Sequence, residues 1–122
     1  QGAKMLGGGL KDVLPPSDLE MWRDEVWMRE AMSALPSMFT HGLEGYTDDR
    51  LADRPGWVSF DVGSSRCPVT VLHGGRDPIV DVIHARHTAK MVPGARLLVH
   101  DDLGHFSIQR EVVPTIAQLL RP

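Results

Sequence analysis

Apolar residues recur at helical spacing through the first half of the chain. Four of them fall on one stripe, at i, i+7, i+11 and i+14: Met21, Met28, Met32 and Leu35. Ser17, with Glu20 three residues later, is typical of a capping box at the start of this helix, and Asp18 suits the positive end of its dipole. A second helical stripe follows Pro36, over roughly residues 37–51. The pattern therefore predicts two amphipathic helices.

In the second half of the chain, short and nearly continuous apolar runs alternate with helical stretches. The runs cover residues 69–73 and 96–100, and the first is rich in β-branched residues, as in a strand buried on both faces of a parallel sheet. Asp81 is the predicted N-cap of the helix between them, and Pro93-Gly94 is expected to end it. A last helix has one apolar face, made of Val112, Val113, Ile116, Leu119 and Leu120. The order strand, helix, strand, helix predicts an α/β fold with a right-handed βαβ unit and one further covering helix.

The pattern divides the chain into three parts. Residues 1–14 are rich in glycine without periodicity, and we expect a linker or irregular structure there. Residues 15–53 hold the two amphipathic helices, and residues 54–122 hold the α/β portion. The helices are rich in methionine and aromatic residues, which fits ordinary core packing. It also fits a lid over an apolar pocket, because such side chains adapt to varied ligands.

Composition narrows the class of protein. The 122 residues amount to one domain or less, and 42% hydrophobic with 24% charged residues is ordinary globular usage. A net charge of −3, with scattered basic residues, gives no electrostatic case for nucleic acid or an anionic membrane surface. No apolar run is long enough for a transmembrane helix. The single cysteine, Cys67, excludes an internal disulfide, fits a reducing cytoplasm and is expected to be a buried, inert thiol.

Two residues that could act together in catalysis follow the two predicted strands. Asp77 lies four residues past the first strand, after Gly-Gly-Arg, and His105 lies five past the second, after Gly104. Neighbouring parallel strands are roughly 5 Å apart, so the loops at their carboxyl ends can meet. A carboxylate that accepts the Nδ1–H of a histidine fixes the tautomer of the ring and stabilises the imidazolium formed in proton transfer. The arrangement therefore predicts the acid and the base of a catalytic triad.

The third member of such a triad, a serine on a Gly-x-Ser-x-Gly turn, does not occur in the sequence. Ser64-Ser65 lacks the second glycine and precedes a strand, and Ser107 is expected to be a turn hydroxyl. His84 and His87 have helical spacing but no third metal ligand beside them, so we expect a solvated helix face. The sequence predicts neither a metal site nor a cofactor.

Taken together, these motifs resemble the α/β-hydrolase family. The stretch 67–122 is similar to the C-terminal third of such an enzyme. Within it, Pro68–Val80 resembles the segment that carries the triad acid, and Gly104–Ser107 resembles the histidine loop. Upstream, Arg54–Trp57 and Phe60-Asp61 resemble the return from the lid in a bacterial branch of the family.

The resemblance implies that Asp77 is the triad acid, that His105 is the general base and that residues 15–53 form the cap. It implies the C-terminal βαβα portion of an α/β-hydrolase sheet, preceded by a helical cap segment. The first strands, the nucleophile elbow and the oxyanion loop would come from a missing N-terminal segment, of the same or a separate chain. Val80 and Phe106 flank the acid and the base, so we expect them to line the substrate pocket.

Two functions remain open at this point. In the first, a cytoplasmic hydrolase acts on a small, hydrophobic ester or acyl substrate, with Asp77 and His105 from this chain and the serine from the missing segment. In the second, the chain is a non-catalytic fragment or interaction module that retains the fold. In both, we expect either pairing with the missing segment or self-association as a homo-oligomer, because a two-stranded sheet leaves an apolar edge open.

Overall fold

The computed structural model describes residues 9–40, 42–52 and 61–120. Within these ranges the helices and strands are α1 (Pro16–Arg23), α2 (Glu25–Met38), α3 (Glu44–Ala52), β1 (Thr70–Gly74), α4 (Val82–Met91), β2 (Arg96–His100) and α5 (Val112–Leu119). Short 3₁₀ helices cover Leu10–Asp12, Val62–Ser64 and Ser107–Glu111. The chain is thus a mixed α/β protein with a small parallel sheet.

The sheet consists, in the described part of the chain, of β1 and β2 paired in parallel, with Thr70 opposite Arg96 and Gly74 opposite His100. The two predicted strands are therefore confirmed. α4 connects them and packs against both, while the 3₁₀ helix Ser107–Glu111 packs against β1. Most positions of both strands are only half-buried. The expectation that the first strand is buried on both faces is therefore wrong for this chain, because the described residues provide little cover beyond these two helices.

The ends of α4 and the start of α5 follow local sequence signals. Asp81 is the N-cap of α4, as predicted, and its side chain accepts from the N–H of Ile83 at 2.8 Å. Gly94 adopts a φ of 72°, which favours glycine, in the turn between α4 and β2. α5 begins at Val112, so Pro114 lies in its first turn, where its missing N–H needs no intrahelical partner.

The predicted first helix is in fact two helices. Asp24 separates them, because its side chain accepts from the N–H groups of Val26 at 2.9 Å and Trp27 at 3.1 Å and so caps α2. α2 then continues through Pro36, so the prediction that a helix ends or restarts there is wrong. Pro36 falls in the last turn, where its missing N–H removes only one hydrogen bond near the helix end. The next helix begins only at Glu44.

The predicted capping box at Ser17 and Glu20 is also wrong. α1 begins at Pro16, and its N-cap, Pro15, makes no side-chain capping hydrogen bond. Proline suits the first helical position because its φ is preset and its missing N–H would have no intrahelical partner there. Ser17 and Asp18 consequently lie inside the first turn, and both side chains are used in contacts with a distant loop.

Few apolar side chains are buried in the described residues. The buried hydrophobic ones are Leu14, Met21, Ala85 and Val92. By contrast, the apolar face predicted for the last helix is exposed, with Val113 at 74% and Leu120 at 78% of their accessible surface. The apolar face of α5 is therefore not buried by the described part of the chain.

Some predictions fall on residues outside the described ranges. These are residues 1–8 of the predicted linker and the segment 53–60, which includes Arg54–Trp57 and Phe60. The division into linker, helical segment and α/β portion stays a prediction. Among the helices of residues 9–40, 42–52 and 61–120, none combines the length and the apolar content needed to cross a membrane.

Candidate active site

The loops at the carboxyl ends of β1 and β2 lie against each other. The N–H of Gly75 donates to the carbonyl of His100 at 2.8 Å. A Cβ on Gly74 would lie 2.6 Å from the carbonyl oxygen of Leu103, and one on Gly75 would lie 2.8 Å from the Cα of Asp101. The positive φ values among the described glycines occur elsewhere. Glycine is therefore required at the last residue of β1 and at the next position by the close approach of the two loops and not by a left-handed backbone.

The carboxylate of Asp77 is held by the turn that follows β1. Its Oδ1 accepts from the N–H groups of Ile79 at 2.8 Å and Val80 at 2.9 Å. Its Oδ2 lies 2.9 Å from Nδ1 of His105. Only 5% of the Asp77 side chain is exposed. Both oxygens are thus occupied, and the side chain has one orientation that satisfies them together.

His105 lies in the loop after β2, with 35% of its side chain exposed. Because Nδ1 faces Asp77, Nε2 is the ring nitrogen left to exchange a proton with a nucleophile or a leaving group. The ring of Phe106 stands edge-on to the imidazole, with centroids 5.1 Å apart and planes at 89°. The structure thus brings together the two side chains that the sequence indicates, and their catalytic role stays a prediction.

A second carboxylate, that of Asp18 in α1, supports the backbone of the histidine loop. Asp18 is completely buried. Its Oδ2 accepts from the N–H of His105 at 2.9 Å, and its Oδ1 accepts from the N–H groups of Phe106 at 3.2 Å and Ser107 at 2.8 Å. The hydroxyl of Ser107 lies 2.6 Å from the same Oδ1. Sequence reasoning assigned Asp18 to the helix dipole and missed this contact, since its partners lie 87 to 89 positions away.

Gly104 allows α1 to approach the histidine loop. A Cβ at this position would lie 2.6 Å from the carboxyl carbon of Asp18 and 2.5 Å from the ring of Pro15. The N–H of Gly104 donates to Oγ of Ser107 at 2.8 Å. Gly104 has no positive φ. Its role is therefore to leave room for the buried carboxylate next to it.

An aromatic cluster of Trp22, Trp27 and Phe106 borders the histidine. The ring of Phe106 lies 5.5 Å from that of Trp22 and 6.1 Å from that of Trp27, as centroid distances. Phe106 therefore joins α1 and α2 to His105. Val80, the other predicted pocket residue, is 39% exposed and is tied to Asp77 through its backbone. That these residues bind substrate stays a prediction.

Serine hydroxyls in the described residues take part in hydrogen bonds within the chain, some local and some between distant segments. Ser107 is fully buried, and its Oγ accepts from the N–H of Gly104 in the same loop at 2.8 Å, as expected for a turn hydroxyl. The same hydroxyl also lies 2.6 Å from Oδ1 of Asp18. Ser64 Oγ donates to the carbonyl of Asp61 at 2.8 Å, and Ser65 Oγ lies 3.4 Å from the sulfur of Cys67. Cys67 is exposed, so the prediction of a buried thiol is wrong. It lies in the loop before β1.

His84 and His87 lie exposed on α4. Within the ranges that the structure describes, no three His, Cys, Asp or Glu side chains are grouped closely enough to hold a metal ion. Comparison of the chain with protein-family models, with curated protein sequences and with solved structures gave no match.

Proposed function

We propose that this chain supplies the acid and the base of a serine hydrolase of the α/β-hydrolase fold, acting on a small, hydrophobic ester or acyl substrate. The observation that carries the proposal is the 2.9 Å contact between Oδ2 of Asp77 and Nδ1 of His105. Both residues follow the carboxyl ends of neighbouring parallel strands, and the acid precedes the histidine in the chain, as in that fold.

His105 acts first as a base and then as an acid in this proposal. Its Nε2 takes the proton of a serine hydroxyl while the serine oxygen attacks the acyl carbon. The proton then passes to the departing alkoxide, and water releases the acyl group by the same two steps in the second half of the reaction. Asp77 holds the required tautomer and stabilises the imidazolium. The serine and the oxyanion donors belong to an N-terminal segment, of the same or a separate chain.

The aromatic cluster supports an apolar acyl group as the substrate. Trp22 and Trp27 belong to the helical segment 15–53, which serves as the cap in this proposal, and both pack on Phe106 beside the histidine. Val80, 39% exposed and hydrogen-bonded to Asp77 through its backbone, lines the substrate pocket in this proposal. A free, exposed thiol fits a reducing compartment, so the proposed location is the cytoplasm.

The second candidate is an interaction module without catalysis. The observation that favours it is the exposed apolar face of α5, where Val113 is 74% and Leu120 78% exposed. A module would use this face to bind another protein and would tolerate loss of the Asp77–His105 contact. The hydrolase instead requires that contact for turnover.

The test measures hydrolysis of a short-chain activated ester by the complemented protein, in which an N-terminal segment with a Gly-x-Ser-x-Gly turn is joined to this chain. His105→Ala is expected to lower kcat by about three orders of magnitude or more. His87→Ala, exposed on α4, is the matched control and should stay within about twofold of the parent, because surface changes away from a site have small effects. A His105→Ala protein within about threefold of the parent would overturn the proposal.

A further inference from the structure

We propose that Asp18 is a positioning residue for His105: its carboxylate fixes the backbone from which the imidazole reaches Asp77. The inference rests on the proposed function only where it concerns turnover. Asp18 lies in the first turn of α1, and the donors to its carboxylate all come from residues 105–107. A residue of the helical segment thus holds the loop that carries the proposed base.

The burial of this carboxylate argues for a specific role. An ionised carboxylate out of water is strongly unfavourable unless hydrogen bonds satisfy its oxygens. Asp18 is 0% exposed, and three consecutive backbone N–H groups and one hydroxyl point at it. Three consecutive amides can converge on one anion only in a narrow range of backbone torsions. The loop backbone at His105 is therefore set by Asp18 before any substrate is bound.

The two carboxylate oxygens of Asp18 accept hydrogen bonds from different donors. Oδ2 accepts from the N–H of His105, whereas Oδ1 accepts from the N–H groups of Phe106 and Ser107 and from the Ser107 hydroxyl. Asp18→Asn with its oxygen retained at the Oδ1 position keeps the bonds to Ser107. Its amide nitrogen then faces the N–H of His105, donor against donor, so this single bond is lost. The variant therefore addresses the histidine separately from the rest of the loop.

Ser17 offers a matched control on the same helix. Its hydroxyl donates to the carbonyl of Asp102 at 2.9 Å, and the Ser107 hydroxyl lies 3.1 Å from it. Ser17→Ala removes this connection between α1 and the loop but leaves the amide of His105 bonded to Asp18. If Asp18 serves only to attach α1 to the rest of the protein, the two substitutions should have similar effects. If Asp18 positions His105, only Asp18→Asn should affect the histidine.

The experiment compares the parent, Asp18→Asn and Ser17→Ala in the complemented protein, labelled with ¹⁵N. Asp18→Asn is expected to speed hydrogen exchange of the His105 amide by about tenfold or more, since a bond to a charged acceptor is lost. It should also weaken or abolish the slowly exchanging Nδ1–H resonance of the His105 ring. Turnover should fall by up to about 100-fold in kcat with KM within about twofold, because a small displacement of a catalytic group slows chemistry more than binding. Ser17→Ala should leave all three readouts close to the parent.

Equal effects of Asp18→Asn and Ser17→Ala on the His105 resonances would overturn the inference, as would an unchanged His105 amide in Asp18→Asn. If Asp18→Asn does not fold, native-state hydrogen exchange of the parent decides instead. The amides of residues 105–107 should then open together with those of α1, and independent opening would overturn the inference. The amide and ring resonances of His105 report whether Asp18 positions this residue, even in a protein without esterase activity. Failure of the proposed function is therefore distinguishable from failure of this inference.

Discussion

Oδ2 of Asp77 lies 2.9 Å from Nδ1 of His105, and each of the two residues is held in place by other contacts. Two backbone N–H groups of its own turn orient the carboxylate of Asp77. The backbone N–H of His105 donates a hydrogen bond to the carboxylate of Asp18 in α1. The pair is therefore preorganised from both sides, which is what proton transfer by a fixed imidazole requires.

Asp77→Asn should reduce kcat by up to about 10⁴-fold with KM little changed. Asparagine can keep its oxygen toward the amides of Ile79 and Val80, but it then presents an N–H group to Nδ1 of His105. The ring is forced into the tautomer that carries its proton on Nε2, where it cannot act as a base. Steady-state kinetics of the complemented protein on a short ester test this. Wild-type kcat in Asp77→Asn would show that the contact is only structural.

Trp22→Ala and Trp27→Ala should change KM or the preferred acyl chain length more than kcat on a small activated ester. Both rings pack on Phe106, so we expect their loss to alter apolar binding more than proton transfer by His105. Kinetics on a series of esters of increasing chain length measure the effect. Tyr46→Ala is the control, since Tyr46 packs on Phe39, at 6.1 Å between centroids. A chain-length profile unchanged in both tryptophan variants would count against a lid.

The parts of the fold that the sequence predicts well are those with local signals. β1 and β2 correspond to short, nearly continuous apolar runs, and α4 has helical apolar spacing. The side chain of Asp81 caps α4 by accepting from the N–H of Ile83, two residues away. The break at Asp24 also had a local signal, because a capping side chain needs only the next three residues. The apolar spacing from Met21 to Met28 concealed it, because in the sequence this spacing continues across Asp24 without interruption.

The residues of the candidate site also differ in whether the sequence alone could predict them. Asp77 and His105 could be predicted because strand ends of a parallel sheet meet at one edge. Asp18 could not, because its role depends on where α1 packs, and an aspartate in a first helical turn is common without any distant partner. The need for glycine at position 104 is evident only from the structure, because the carboxylate of Asp18 occupies the volume that a Cβ would fill.

Gly74→Ala should lower the free energy of unfolding by about 1–3 kcal/mol, because an added methyl would overlap the carbonyl oxygens of the neighbouring loop. Gly45→Ala is the matched control: it lies in the first turn of α3 with open space around it and should not lower stability. Urea unfolding of the complemented protein, followed by circular dichroism, compares the two. Equal urea midpoints for Gly74→Ala and Gly45→Ala would show that the two loops can move apart without a loss of stability.

The 122-residue chain alone should not form a stable, active monomer. Its described residues bury few apolar side chains, pair only two strands and leave the outer edges of both strands without a partner strand. Open strand edges beside an exposed apolar helix face favour association, so the chain should pair with an N-terminal segment or with itself. It should also lack esterase activity, because it has no nucleophile elbow. Sedimentation measures the association state of the chain, thermal unfolding measures its stability, and ester turnover measures its activity. A monodisperse 13.5 kDa species that unfolds cooperatively would contradict the first part, and turnover by that species, sensitive to a serine reagent, would contradict the second.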